Sequence, residues 1–301
     1  MSALVEELPA GRVSEIDVPF TPAFADEGEG RLLVVDEEGS FAVFGEGVDG
    51  PITDSGSVQG APTGLFIARN RAWVSTEAGQ VAVLTLANDS PPTFVEYGPA
   101  EFLAAEERGY WTFNGDLGEI ARLRMADGAV TSTLPLPADA VDLAIGAGSV
   151  WALGDDGLVY RANTADLTVQ SIDAGDALIA VTAGPDSLWT LSAADGALRR
   201  VDPVTGAVLV TVPVGRDPID ATFAGNSVWV ALRSGASLIE VDTRTSAVVS
   251  RTTLPGEPIA MHQGDMGVFV AMDGDVPLVR VSSSLTPTEV EDADAEGDAA
   301  E

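Results

Sequence analysis

Five side chains in this sequence have the types and spacing to act together in one site, namely Asp142, Thr182, Asp220, Thr222 and His262. Two carboxylates at equivalent places in a repeat can hold a divalent cation such as Ca2+ or Mg2+, or divide the roles of general acid and general base. The threonines add hydroxyl oxygens, and His262 is the only imidazole in the chain. Each has a competing structural reading. A carboxylate on a strand can cap a turn or accept a neighbouring backbone N–H, and a lone histidine can be a hydrogen-bonded wall residue. The acid recurs in only two of seven equivalent positions, which favours the structural reading.

Composition narrows the chemistry further. The chain of 301 residues carries 47 acidic and 15 basic side chains, a formal charge of −32. A body this acidic is repelled by nucleic acid and by anionic lipid surfaces. Every basic residue is arginine, so Schiff-base and lysine general-base chemistry is excluded. With no cysteine, thiol catalysis, disulfides and thiolate-bound metals are excluded as well, and one histidine cannot build a multi-histidine zinc site. No stretch reaches the apolar length of a membrane helix, and residues 1–11 lack the basic and apolar regions of a signal peptide. The expected cofactor set is none, with Ca2+ or Mg2+ in a channel as the alternative.

What positions the five residues is a repeat marked by tryptophan. Trp73, Trp111, Trp151, Trp189 and Trp229 follow one another at intervals of 38, 40, 38 and 40 residues. Each lies in a short apolar run after a turn, as in Gly148-Ser149-Val150-Trp151 and Asn226-Ser227-Val228-Trp229. Extending the period places Leu33 and Phe269 at the same position, making seven units. Within one unit four short β-runs can be read, for example 219–223, 228–232, 238–241 and 247–252, bounded by Gly, Asp, Asn or Ser. Four-stranded units of about 40 residues indicate an all-β, seven-bladed β-propeller, with six blades as the alternative count. The seventh unit lacks a clear fourth strand, and residues 14–19 can supply one and close the ring. A tryptophan recurring in every blade is read as packing between sheets. Asp127-Gly128, Asp156-Gly157 and Asp195-Gly196 are read as hairpin turns, because they lack the ligand spacing of a calcium loop.

Aligning the innermost strands by distance before the tryptophan position gives three columns. Eight residues before it the column is apolar throughout, running from Ala25 to Met261. Nine before it stand Asp142 and Asp220, and seven before it Asp26, Thr182, Thr222 and His262. Strand alternation puts these last two columns on one face, where a propeller channel would be lined.

The segment Ala180-Val181-Thr182-Ala183-Gly184-Pro185-Asp186-Ser187-Leu188-Trp189 resembles the signature of streptogramin-lyase-like propellers. Residues 201–218, from Val201-Asp202-Pro203 to Arg216-Asp217-Pro218, resemble the repeat of YVTN-type surface propellers. The Gly-His and Trp-Asp pairs of WD40 repeats are missing. The lyase resemblance implies a channel histidine as general acid, hence His262, beside a metal-bound substrate, but the further histidine such enzymes use has no counterpart. The surface-propeller resemblance implies a non-catalytic module within a larger exported bacterial protein. The expectation is therefore an interaction or scaffold propeller binding a protein or glycan through its rim or channel mouth, with a metal-dependent lyase or lactonase as the alternative. Expected boundaries are an extension at 1–13, the propeller at 14–287 and an acidic tail or linker at 288–301. A monomer, extracytoplasmic and without nucleic-acid partners, completes the expectation.

Overall fold

The computed structural model describes residues 9–45, 50–86, 90–98, 100–106, 109–264 and 267–284. The acidic tail and most of the N-terminal extension therefore lie outside the described residues. Among the described residues, twenty-eight strands form seven four-stranded antiparallel sheets. Six blades run consecutively over 24–57, 62–96, 101–135, 140–172, 178–213 and 218–253, and the seventh combines 257–282 with the strand Arg12–Glu15. Each inner strand meets the inner strand of the next blade, and Glu257–Gly264 meets Phe24–Gly28, so the ring closes at seven blades and not six. Among the described residues no helix is long and apolar enough to cross a membrane.

The tryptophan ruler measures the register faithfully. The residue seven before each ruler position is its cross-strand partner in every blade, as in Ala144 with Trp151, Thr182 with Trp189 and His262 with Phe269. All five tryptophans are at most 2% exposed. Each packs in an apolar cluster shared by two neighbouring blades. Trp189 and Leu191 of blade 5 pack with Val228, Val230 and Ile239 of blade 6, and Trp151 and Leu153 of blade 4 with Val181 and Leu188 of blade 5. There are seven such clusters, one per junction, so the core is distributed around the ring rather than gathered at a centre.

A second column stands opposite the ruler on the third strand. Arg161 lies 5.6 Å from the Trp151 ring, Arg200 5.8 Å from Trp189 and Arg280 6.0 Å from Phe269, each a cation over an aromatic face. In blade 6 this position holds Glu240, which faces Trp229 across the strands and is fully buried. Ser227 Oγ donates to Glu240 Oε1 at 2.8 Å, and Ser284 N and Oγ donate to Oε2 at 3.0 and 2.6 Å. Ser283 Oγ donates to Oε1 as well. The chain leaving blade 7 is thus tied back onto blade 6.

The expected closing strand is present but displaced. It spans Arg12–Glu15, not 14–19, with Val13 opposite Val281 and Glu15 opposite Val279. Ile16 still donates its N–H to Leu278 O at 3.0 Å, but its side chain and that of Val18 turn into the cluster between blades 7 and 1. Pro19 has no N–H to offer a ladder. Upstream, Gly11 N donates to Thr252 Oγ1 at 2.7 Å, anchoring the entry on the outer strand of blade 6.

The Asp-Gly pairs are hairpin turns as expected, with Gly128, Gly157 and Gly196 at φ of 68°, 82° and 62°. At Gly196 a Cβ would also collide with the carbonyl of Gly215, so no other residue fits there.

Candidate functional site: the central channel

The seven inner strands enclose a channel of about 530 Å³. An inner strand pairs on one side only, so its other edge presents N–H and C=O groups to the next blade and the axis. The polar side chains of the two lining columns satisfy these groups. Leu143 N donates to Asp142 Oδ1 at 2.8 Å, and Val181 N of blade 5 donates to Oδ2 at 2.7 Å. Asp220 in blade 6 repeats the arrangement, accepting from Ala221 N at 2.7 Å and from the N–H of Met261 in blade 7. Thr182 Oγ1 accepts from Phe223 N across the junction between blades 5 and 6 at 2.9 Å. His262 bonds the backbone of Ala23, at the start of blade 1, and its ring lies 5.5 Å from that of Phe24. Thr222 lines the same wall opposite Trp229.

Two further ties join residues that the sequence does not mark as a site. Ile67 N of blade 2 donates to Asp26 Oδ2 at 2.5 Å, and Thr63 Oγ1 bonds the Ala100 carbonyl of blade 3, also at 2.5 Å. Asp26 stands in the same column as Thr182 and His262, so its column carries a signal; Thr63 lies one place outside the columns and carries none. Among the described residues, only the junction from blade 3 to blade 4 lacks such a tie, because its column residues are Phe102 and Ala104.

The five predicted residues are therefore brought into one channel but not onto one ligand. Four of them are bonded to backbone, and three of these ties are shown to span a junction by Val181, Phe223 and Met261. Both oxygens of Asp142 already accept backbone N–H groups, and no group of three or more carboxylates and imidazoles converges among the described residues.

Half-buried in the channel wall, the ionisable groups prefer their neutral forms. Desolvation pushes Asp142 up to about 6, against the opposing pull of its two backbone N–H donors. Desolvation, and then the nearby charge of Asp142, push Asp220 up to about 7. Desolvation takes His262 down to about 4. The signs differ. A raised carboxyl value contributes stability that is complete below the unfolded value of 3.8 and is lost as pH rises through about 6 to 7. A lowered histidine contributes stability above 6.5 that is lost as pH falls through about 4. The amides of Asp142→Asn/Asp220→Asn carry no charge to desolvate but cannot accept both backbone N–H groups, so the variant is expected to melt below wild type near pH 4. Its melting temperature relative to wild type should then rise by roughly 5 °C toward pH 8, and melting curves across that range check it.

No protein-family model and no curated protein sequence matches this chain. Solved structures share its fold. The WD40 β-propeller domain of Doa1 superposes with a TM-score of 0.71 at 14% identity, over 93% of this chain and 97% of that one. The computationally designed Ika8 protein superposes with a TM-score of 0.66 at 15% identity, over 87% and 83%. At such identities the likeness establishes the architecture alone.

Proposed function

We propose that the chain is a non-catalytic interaction module, a seven-bladed propeller that presents its rim or channel mouth to a protein or glycan partner. The observation that carries this reading is the use of the channel's polar groups. Asp142, Asp220 and Thr182 hold backbone groups of the wall, and His262 bonds Ala23 through one ring nitrogen, which spends on ring integrity most of the chemistry an enzyme would direct at a substrate. The propeller fold suits the role, since it offers a rigid frame with loops on two faces.

The metal-dependent lyase or lactonase is the rival, and the raised values of Asp142 and Asp220 are what favour it, because perturbed carboxyls in a cleft often mark function. One experiment separates the two. On the module reading, millimolar Mg2+ or Ca2+ leaves the melting temperature unchanged, and a partner captured by the wild-type protein is captured equally by Asp142→Asn/Asp220→Asn. A metal-dependent rise abolished in that variant would overturn the module reading. The extracytoplasmic setting, within a longer exported chain, belongs to this proposal; it is supported by the surface-propeller resemblance of residues 201–218.

A further inference from the structure

The inner strands carry a repeated irregularity at one end of the channel. In blades 2, 4, 5, 6 and 7 one extra residue bulges from the inner strand just before the lining columns: Thr63, Val141, Ile179, Ile219 and Ile259. Blade 3 bulges between Glu101 and Ala104, and Glu101 holds the equivalent place in its sequence unit. Equivalent positions in repeated blades lie at one height around the axis, which puts these residues of six blades at one end of the channel, where Thr63 lines its wall. The composition of this end is split. Four successive blades present aliphatic side chains, with Val141 and Ile259 48% and 46% exposed and Ile179 and Ile219 partly so. Val141 and Ile259 stand in water, whereas Ile179 and Ile219 also pack with one side against the clusters flanking blade 6.

On the other side of the ring the mouth opens into a cavity of about 520 Å³ between blades 2 and 3. Glu77, Glu101 and the ring of Phe102 line it, together with Thr63 and Thr76. Neither carboxylate has an ion-pair partner among the described residues. Thr63 and Phe102 line both this cavity and the channel, so the two adjoin. Phe102 is held there at a φ of 58°, in the left-handed region that a bulky residue rarely adopts. Carboxylates beside an aromatic face suit a guanidinium or an ammonium group.

We propose that this mouth binds a basic, aliphatic peptide segment of another protein, with its apolar side chains on Val141, Ile179, Ile219 and Ile259 and a cationic side chain in the cavity of Glu77, Glu101 and Phe102. Charge complementarity selects this occupant over a second copy, because the chain's charge of −32 opposes self-association and favours a cationic partner. The inference rests on the interaction-module reading and deepens it by naming the partner's chemistry.

The test uses the whole chain and three labelled ten-residue peptides, alternating Arg/Leu, Arg/Ser and Glu/Leu, followed by fluorescence anisotropy at physiological salt. The Arg/Leu peptide is expected to bind at least tenfold more tightly than either other peptide. Val141→Ser/Ile259→Ser should reduce it to the level of Arg/Ser, and Glu77→Gln/Glu101→Gln should weaken it at least tenfold. Both pairs change exposed or half-buried side chains, and circular dichroism confirms their folding. Equal binding of Arg/Ser and Arg/Leu, or Arg/Leu binding unmoved by both pairs, overturns the proposal. Binding lost instead in Val204→Ser/Leu209→Ser, on the outer edge of blade 5, would overturn the mouth site and leave the module reading standing. That reading falls only by the metal and capture experiment above.

Discussion

Deleting residues 1–16 is expected to destabilise the propeller by roughly 4 kcal/mol or more and to drive it into association. The strand Arg12–Glu15 covers the third strand of blade 7, Leu278–Ser282, which would otherwise be a sheet edge with its N–H and C=O groups unpaired. Val279 and Val281 are fully buried and would lose their cover. Ile16, 3% exposed, leaves the cluster that joins blade 7 to blade 1, and truncating one buried isoleucine alone costs about 2–5 kcal/mol. Denaturant unfolding of the truncated chain measures the loss, and light scattering reads the association. Ile16→Pro should reproduce part of it, since it removes the N–H that bonds Leu278 O without shortening the chain. An unchanged midpoint for both would show that the ring does not depend on this closure.

Glu240→Ala should cost about 3 kcal/mol, a large effect for one side chain at no channel or mouth position. The substitution leaves the Ser227 and Ser284 hydroxyls and the Ser284 N–H without their acceptor and removes one bond of Ser283, next to a buried strand. Ser284→Ala alone should cost about 1 kcal/mol. A double-mutant cycle between the two positions, read from urea midpoints, is expected to show a coupling of roughly 1 kcal/mol or more. Additive losses would mean that Glu240 stabilises blade 6 without holding the chain that leaves blade 7.

The tryptophan period carries most of the architecture. It locates blades, registers and channel-lining columns, because a residue that packs between sheets cannot drift without losing its cluster. In the sixth unit the runs 219–223 and 228–232 correspond to the strands Pro218–Ala224 and Ser227–Leu232, differing only at their ends. The columns also place Asp142, Thr182, Asp220, Thr222 and His262 together in the channel. Periodicity is silent about what a side chain bonds. The N–H groups of Val181 and Met261 belong to the following blade, and nothing local to Asp142 or Asp220 points there. Glu240 is legible in principle, as an acid where Arg161, Arg200 and Arg280 stand in other blades, but its partners Ser283 and Ser284 lie more than one unit downstream. The aliphatic mouth escapes for a different reason. A bulge adds a residue to the strand, so simple alternation cannot say which way that residue faces.

A hoop bears tension only as well as its weakest joint. Around this channel the polar ties of Asp26, Thr63, Asp142, Thr182, Asp220 and His262 act as rivets between staves, and the joint from blade 3 to blade 4 is held by the apolar cluster of Trp111, Phe113, Val150 and Tyr160 with Phe102 against it. Apolar contacts slide where hydrogen bonds hold their length. At that joint the lining residues leave the ring to packing alone, beside the cavity of Glu101 and Phe102.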